Sequence, residues 1–234
     1  MQQYFVNTTL NINETISLDE DIVFHLTKVL RNTENNFRLV DLNHKVFLAE
    51  LINKKAHILE QLDENNELDY DVTALIAIIK QDKFEIILQK LTELGVKRIV
   101  PVITAYSQHL VFSDNKIIRF NKIIKEAAEQ SHRNIIPELC TSIELKNVDK
   151  YKSDLNVVAY EKENENNISF KSKSISFIVG PEGGFKKDEI NFLLENGFKS
   201  ISLGKTILRA ETAAINLASN IIWDNKWKHL LYYH

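Results

Sequence analysis

The distribution of glycine constrains this chain more than any other feature of its sequence. The first 94 residues contain neither glycine nor proline, whereas five of the six glycines lie within the 25 residues from Gly180 to Gly204. Glycine adopts positive φ angles without steric cost and lets a ligand approach the backbone closely. We therefore expect the functional site in this window, where the demands on backbone conformation are greatest.

The first 70 residues predict a small, mostly β domain. Their turns use asparagine, which tolerates left-handed backbone almost as well as glycine does. A helix is predicted over Leu18–Arg31, where apolar residues recur at helical spacing. The acidic stretch Asp63–Asp71 is the expected domain boundary. The predicted strands are Gln3–Val6, Phe37–Asp41, Lys45–Ile52 and His57–Gln61.

From residue 72 onward, apolar runs of strand length alternate with amphipathic helical stretches. Asp82, with Glu85 three residues later, predicts a capping box at the start of the first of these helices, and Gly95 is placed to end it. Such alternation is typical of an α/β domain whose mostly parallel sheet is covered by helices on both faces. The predicted strands are Val72–Ile79, Lys97–Ile103, Leu155–Tyr160, Ser174–Val179 and Ser200–Leu203, and the later predicted helices are Ser113–Arg133, Lys187–Asn196 and Glu211–Trp223.

Composition places the chain among ordinary globular proteins, with 44% apolar and 26% charged residues. No apolar run approaches the roughly 20 residues of a membrane span, and the polar start, Met1–Thr9, does not resemble a signal peptide. The single cysteine, Cys140, excludes an internal disulfide framework and is expected to be a small core residue. We therefore expect a cytoplasmic protein without a membrane segment.

The charge of the chain is unevenly divided. Residues 1–70 carry 6 Lys/Arg against 12 Asp/Glu, a balance of −6, while the remainder has +3, for a net charge of −3. Any contact with nucleic acid must therefore come from local basic patches. Basic side chains on the predicted helices are candidates, although most residues of this kind form a solvated face: Lys28, Arg31, Lys116, Arg119, Lys122, Lys125 and Arg133.

The first glycine-rich loop, Gly180–Phe185, follows a predicted buried strand and precedes a helix. In an open α/β sheet, ligands bind beyond the carboxyl ends of the strands, so this position favours a binding site. The loop lacks the Gly-Lys-Ser/Thr ending of a phosphate-binding P-loop and the three-glycine spacing of a dinucleotide fingerprint. Nucleoside triphosphates and NAD are therefore disfavoured, and the glycines alone leave a purely structural turn as an equal alternative.

The second loop lies between the last predicted strand and the last predicted helix. A turn at Gly204 is followed by Ile207 and Leu208, so apolar side chains stand beside main-chain donors and acceptors. Such a surface suits an adenine ring, which has a flat face and hydrogen-bonding edges. Arg209 and Glu211 follow directly, and taken alone they favour a surface ion pair.

Together, the two loops resemble the motifs of the RsmE family of 16S ribosomal RNA uridine-N3 methyltransferases, in the same order and spacing. The resemblance extends over nearly the whole chain. The matching stretches are Ile178–Phe185 with Glu189, Leu203–Gly204, Ile207–Ala213, Lys90 with Glu93–Val96 and Pro101, Glu129–Asn134 with Pro137, and His25–Arg31.

The resemblance implies a fold and partners that residue patterns alone do not. It implies a SPOUT-type α/β catalytic domain over residues 71–234, with a mostly parallel sheet and a trefoil knot at about residues 175–215. It also implies a PUA-like RNA-binding β-barrel over residues 1–70, a homodimer, and 16S ribosomal RNA or the small ribosomal subunit as the substrate. S-adenosylmethionine is the implied cofactor. No metal is expected, since the histidines show no ligand spacing.

Uridine N3 carries a proton at neutral pH, so the implied reaction needs a base or a cation that stabilises the uridine anion. We expect Arg209 to be that cation, held by Glu211, and Glu182 or Glu211 to be the base. The expected RNA contacts are Lys28, Arg31, Arg133 and Asn134. The expected cofactor contacts are Tyr160, Glu161, Val179, Gly180, Glu182, Gly183, Gly184, Leu203, Gly204, Ile207, Leu208, Arg209 and Thr212.

Two other functions remain open. A SPOUT methyltransferase that acts on another RNA position, such as a ribose 2′-hydroxyl in tRNA, would differ only in its substrate, and a substrate assay separates the two. A non-catalytic RNA-binding assembly factor would keep the fold, but the presence of Glu182, Arg209 and Glu211 argues against it.

Overall fold

The computed structural model describes residues 1–29, 36–107, 112–160 and 168–226. Within these ranges the chain forms two compact units. The first contains Met1–Glu67 and Ala128–Ile135, and the second contains the described parts of Leu68–Ala127 and Ile136–His234. The chain therefore enters the first unit twice.

The first unit is built on a sheet of β1 (Gln3–Phe5), β2 (Thr15–Ser17), β3 (Asn36–Val40), β4 (Val46–Ile52) and β5 (Lys55–Leu62). Among the described residues the strand order is β1–β3–β4–β5–β2. β1 pairs in parallel with β3, and the other neighbours are antiparallel. Phe37, Leu39 and Phe47 are buried in the core of this unit. Burying each of these side chains contributes roughly 1.5–3 kcal/mol.

A helix follows β2 in the first unit. It starts as α1 (Glu20–Phe24) and continues as a π-helix over His25–Val29. Thr27 Oγ1 donates to the carbonyl oxygen of Val23 at 2.7 Å, and side-chain hydrogen bonds of this kind often bend helices. The helix predicted over Leu18–Arg31 is therefore confirmed in its middle, while residues 30 and 31 lie outside the described part of the chain.

The strands predicted in the first unit are confirmed to within about two residues at their ends. β2 is absent from the prediction, because three residues at a sheet edge carry no periodic signal. Only its antiparallel pairing with β5 makes this segment a strand.

The second unit is an α/β fold with a parallel sheet. Its strands are β6 (Asp71–Ala77), β7 (Arg98–Ile103), β8 (Glu138–Leu139), β9 (Ile143–Glu144), β10 (Leu155–Ala159), β11 (Ser174–Val179) and β12 (Lys199–Ile201). Within the described ranges the strand order is β12–β10–β11–β6–β7–β8, and β9 also pairs with β7. All of these described pairings are parallel, which confirms the predicted α/β class and its mostly parallel sheet.

The helices of the second unit cover both faces of this sheet. They are α2 (Gln81–Glu93), α3 (Asp114–Gln130), α4 (Lys187–Glu195) and α5 (Ala210–Lys226), with a 3₁₀ segment at Leu145–Tyr151. The last three residues of α3 belong to the first unit. Ile76 and Phe177 pack in one apolar cluster, while Leu75 and Ile178 pack in another. Coverage on both faces explains the continuous apolar runs of β6 and β11. No described helix is long and apolar enough to cross a membrane.

The start of α2 corrects one prediction. The helix begins at Gln81, after Lys80, and no side chain caps it. Glu85 does not form a capping box with Asp82, because its carboxylate accepts hydrogen bonds from the Arg119 guanidinium at 2.6 and 2.7 Å. These bonds lower the pKa of Glu85. Arg119, one of the basic candidates for RNA contact, therefore has a partner within the protein.

The end of α2 follows the prediction. Gly95 has a φ of +87°. Its N–H donates to the Thr92 carbonyl oxygen and the Val96 N–H donates to the Leu91 carbonyl oxygen, both at 3.0 Å. This pair of bonds is the Schellman motif, in which glycine takes the left-handed position. Gly197, with a φ of +84°, ends α4 in the same way.

The remaining differences concern element ends and short elements. The helix predicted over Ser113–Arg133 ends at Gln130, and the strand predicted over Ser200–Leu203 ends at Ile201. The short strands β8 and β9 were not predicted, because two residues cannot show a periodic pattern. Cys140 is buried as predicted, and burial raises the pKa of its thiol.

Candidate functional site

A cleft opens at the carboxyl edge of the parallel sheet in the second unit. β10, β11 and β12 end side by side at Ala159, Val179 and Ile201, and the segments that follow them form the cleft. Because ligands bind beyond the carboxyl ends of strands in open α/β sheets, this is the expected place for a site. The cleft has a volume of about 380 Å³.

The first wall of the cleft is the glycine-rich loop Gly180–Phe185, between β11 and α4. Gly184 has a φ of +69°, and its N–H donates to the Pro181 carbonyl oxygen at 2.8 Å, which closes a tight turn. Gly180 faces the Phe185 ring, since a Cβ on Gly180 would lie 2.9 Å from a ring carbon. The loop therefore needs one glycine for its backbone conformation and the other for space.

One carboxylate on α4 fixes this loop. Glu189 Oε2 accepts a hydrogen bond from the Lys186 backbone N–H, and Glu189 Oε1 accepts one from the Ala105 backbone N–H, both at 2.8 Å. The two bonds tie the end of the glycine-rich loop to the turn that follows β7. Glu189 also lies in the first turn of α4, where the helix dipole stabilises negative charge.

The second wall is the segment between β12 and α5. Gly204 has a φ of +133°. The Ser202 hydroxyl accepts a hydrogen bond from the Gly204 N–H at 3.4 Å and donates one to the Gly204 carbonyl oxygen at 3.2 Å. Ile207 is 88% exposed and lines the cleft together with Leu208. These side chains offer an apolar surface to the flat face of a ring.

Charged side chains from both walls line the cleft. Glu182 belongs to the first wall and Arg209 to the second, and both are exposed. Within the described residues, Arg209 takes part in no ion pair. A carboxylate and an unpaired guanidinium at one cleft can accept a proton and stabilise a developing anion.

Glu211 does not hold Arg209, which corrects that prediction. Glu211 Oε1 lies 3.5 Å from Nζ of Lys83 on α2, and the Glu211 side chain is 12% exposed. Residues two positions apart at the start of a helix point to different faces, so Glu211 turns toward α2 while Arg209 lines the cleft. Glu211 does not line the described cleft, and its predicted role as a base therefore has no geometric support.

Most of the predicted cofactor contacts come together in this cleft: Tyr160, Val179, Gly180, Glu182, Gly183, Gly184, Leu203, Ile207, Leu208 and Arg209. Gly204 and Thr212 do not line its described walls, and Glu161 lies outside the described residues. The sequence interpretation missed Ala159, Pro181, Phe185, Thr206, Ala210 and Ala213, which also line the cleft. Ala210 and Ala213 had a usable signal, since residues three apart at the start of a helix share a face.

The structure corrects two of the predicted RNA contacts, both in the first unit. Arg133 is 3% exposed. Its Nη2 and Nε donate to the Glu67 carboxylate at 2.5 and 3.3 Å. Asn134 is also buried, and its side-chain amide donates to the carbonyl oxygens of His44 and Glu64. Buried polar groups with such partners stabilise the unit and are not available for phosphate contact.

The other two predicted RNA contacts are Lys28 and Arg31, and the structure describes only the first of them. Lys28 is exposed on the π-helix, as a contact with RNA requires. Arg31 lies outside the described residues. In the part of the chain that the structure describes, no group of three or more His, Cys, Asp or Glu side chains is arranged to hold a metal ion.

Comparison with known proteins agrees with the geometry of the cleft. Residues 66–222, which contain the parallel sheet and both walls, match the family described as an RNA methyltransferase domain. A protein from Mesomycoplasma hyopneumoniae (strain 232), named ribosomal RNA small subunit methyltransferase E, is 34% identical over 231 residues. The match covers 96% of this chain and 100% of that relative.

Solved structures share the fold. A ribosomal RNA small subunit methyltransferase E from Neisseria gonorrhoeae, bound to S-adenosyl methionine, has a TM-score of 0.85 and 32% identity, covering 94% of this chain and 96% of its own. A structure from Legionella pneumophila in complex with the same cofactor has a TM-score of 0.85 and 28% identity, with the same coverage of 94% and 96%. The chain therefore belongs to the RNA methyltransferase family whose members include the ribosomal RNA small subunit methyltransferases E.

Proposed function

We propose that this chain methylates ribosomal RNA with S-adenosylmethionine as the methyl donor. The observation that carries the proposal is the cleft beyond β10, β11 and β12. Its walls offer an apolar surface and main-chain hydrogen-bonding groups, and their sequence lacks the phosphate-binding motifs. This combination suits an adenosyl group that carries no phosphate. The Neisseria and Legionella proteins, which share the fold, bind this cofactor.

The residues of the cleft fit such a group. The Phe185 ring packs directly against Gly180, which has room for it because glycine has no Cβ. Ile207 and Leu208 line the cleft, and we expect them to pack against one face of the adenine ring while backbone groups of the walls bind its edge. When bound, S-adenosylmethionine supplies an electrophilic methyl group on a sulfonium centre.

We propose N3 of a uridine in 16S ribosomal RNA as the methylated atom. The name of the Mesomycoplasma relative supports the small ribosomal subunit as the substrate class, and the RsmE motifs support the base and the atom. Glu182, exposed on the cleft wall, is the proposed base that removes the N3 proton. Arg209 is the proposed cation that stabilises the resulting anion. N3 then bonds to the methyl group as the sulfur–methyl bond breaks, and the proton remains on the Glu182 carboxyl group.

The family resemblance also supports a proposal for the architecture. We propose a SPOUT-type trefoil knot at about residues 175–215 within a catalytic domain of residues 71–234, and a PUA-like RNA-binding barrel over residues 1–70. Lys28 and Arg31 are the proposed RNA contacts of that barrel. The proposed assembly is a homodimer that acts on ribosomal RNA in the cytoplasm, and sedimentation equilibrium tests its stoichiometry.

Calorimetric titration with S-adenosylmethionine, followed by mapping of the methylated base on small-subunit RNA, tests the proposed function. We expect saturable binding and a single new N3-methyluridine. Methylation of a ribose 2′-hydroxyl, or of tRNA, would assign the protein to another RNA methyltransferase activity. A folded protein that binds no S-adenosylmethionine would instead favour a non-catalytic RNA-binding assembly factor.

Gly180→Ala should weaken S-adenosylmethionine binding by about 10-fold, because overpacking of this kind typically costs about 1–3 kcal/mol. The new Cβ would meet the Phe185 ring at 2.9 Å and displace the ring or the loop. Isothermal titration calorimetry measures the change. Phe185→Leu removes the clashing ring, so adding Gly180→Ala to that variant should cost much less. Full affinity in the Gly180→Ala single variant would show that this loop does not form the cofactor site.

A further inference from the structure

Tyr106 is a large aromatic residue in the turn that follows β7, and it is 50% exposed. Its side chain stands directly against the glycine-rich loop, since a Cβ on Gly183 would lie 3.3 Å from Tyr106 Cβ and 3.4 Å from Tyr106 Cγ. Gly183 lines the cofactor cleft, whereas Tyr106 does not line its described walls. The ring therefore lies just outside the cleft, at its lip.

Hydrogen bonds hold the turn that carries Tyr106. Ser107 Oγ accepts from the Thr104 backbone N–H at 2.9 Å, and the Ser107 N–H donates to the Thr104 carbonyl oxygen at 3.1 Å. The Ala105 N–H donates to Glu189 Oε1 at 2.8 Å, which ties the turn to α4. Because hydrogen bonds already order the backbone of this turn, stacking of a ligand on Tyr106 costs the protein little conformational entropy.

A cation accompanies the ring. Nζ of Lys186 lies 5.5 Å from the centroid of the Tyr106 ring, and Lys186 is exposed. Its ammonium group can exchange this contact for a phosphate at the same lip. An exposed aromatic ring beside a lysine is the combination with which proteins bind single-stranded nucleic acid, through stacking on the base and charge on the backbone.

We propose that Tyr106 stacks on an unpaired base of the RNA substrate and that Lys186 contacts an adjoining phosphate. This inference rests on the proposed function, and it places the target nucleotide at the lip of the cofactor cleft. An enzyme that modifies the Watson–Crick edge of a base must receive that base outside the helical stack, and N3 of uridine lies on that edge. A half-exposed ring outside both the core and the cofactor cleft is suited to hold such a base.

Tyr106→Leu is the informative variant, because it keeps an apolar side chain against Gly183 while removing the aromatic face. We expect it to lower kcat/KM on small ribosomal subunits that lack the modification by about 10-fold or more. Binding of a fluorescein-labelled oligouridine should weaken by a similar factor, with the Kd of S-adenosylmethionine unchanged. Tyr106→Phe keeps both the packing and the aromatic face, so it should retain most of the oligouridine affinity that Tyr106→Leu loses.

Lys186→Gln tests the phosphate contact separately. The variant keeps the backbone N–H that donates a hydrogen bond to Glu189 Oε2 but loses the positive charge of the side chain. We expect the slope of log affinity for oligouridine against log salt concentration to fall in magnitude by about 0.7, the value for one phosphate contact on a single strand. An unchanged salt slope would remove Lys186 from the proposed contact.

Two results would overturn the role of Tyr106. One is wild-type oligouridine affinity in Tyr106→Leu, and the other is an equal loss of S-adenosylmethionine affinity, which would mean that the ring only supports the glycine-rich loop. A change of oligomeric state with unchanged RNA binding would also overturn it and assign the ring to a subunit interface. Oligouridine binding can be measured without turnover. If the protein binds RNA through Tyr106 but methylates no RNA, the proposed function is wrong and the proposed role of Tyr106 in RNA binding still holds.

Discussion

Arg209→Ala is expected to lower kcat for RNA methylation by about 10²–10³-fold, the effect of removing one preorganised group from a developing anion. Arg209 lines the cleft, is exposed and makes no ion pair among the described residues, so no described ion pair has to break before its guanidinium binds the proposed uridine anion. The loss should appear in kcat, because the charge that Arg209 stabilises develops only during the reaction.

Single-turnover measurements with labelled S-adenosylmethionine separate this step from binding. Lys205→Ala is the matched control, because Lys205 is an exposed cation of the same segment that does not line the described cleft. This control should keep wild-type turnover. Arg209→Lys keeps a charge without the planar fork and should recover part of the rate. Full turnover in Arg209→Ala would contradict the proposed role of the cation.

Glu67→Gln should destabilise the first unit by about 2–3 kcal/mol. The Glu67 carboxylate accepts hydrogen bonds from the Arg133 guanidinium and from the backbone N–H groups of Asn134 and Ile135. The Arg133 side chain is 3% exposed, so the substitution removes a negative charge from beside a buried guanidinium. The NH₂ group of the new glutamine would also face the N–H donors that the carboxylate now accepts from, which leaves buried donors without an acceptor.

Hydrogen exchange of the backbone amides of β3, β4 and β5 measures this effect within the first unit. A loss of 2–3 kcal/mol corresponds to about 30- to 150-fold faster exchange if these strands open together. The matched control is Glu144→Gln, which removes a pair with Lys146 whose side chains are 57% and 70% exposed. Exposed pairs of this kind contribute at most about 1 kcal/mol. Wild-type exchange in Glu67→Gln would contradict the structural role of the pair and restore Arg133 as a candidate RNA contact.

Local sequence patterns predicted much of the second unit. The apolar runs that became β6 and β11, and the helix ends at Gly95 and Gly197, agree with the structure. Periodicity and φ preference depend on a few neighbouring residues, so they can be interpreted without knowing the rest of the fold. The position of the cleft was predictable for the same reason, since its two glycine-containing walls each follow a recognisable strand.

The wrong predictions for Glu85 and Glu211 concern charged side chains whose partners are distant in the sequence. Glu85 binds Arg119, which is 34 positions away, where a local capping box was expected. Glu211 pairs with Lys83 and not with its neighbour Arg209. The sequence offers many oppositely charged side chains as partners for each charged residue, and only the packing of the folded chain decides which of them lies close enough to bind.

The sequence by itself determined the alternation of strands and helices, the edge of the sheet where the site forms, and the family of the chain. Tertiary structure alone decided that Glu211 turns away from the cleft, that Arg133 is buried against Glu67, and that Tyr106 stands at the lip. The reason is physical. Backbone conformation follows from local residue preferences, whereas the direction and burial of a side chain depend on elements that only folding brings together.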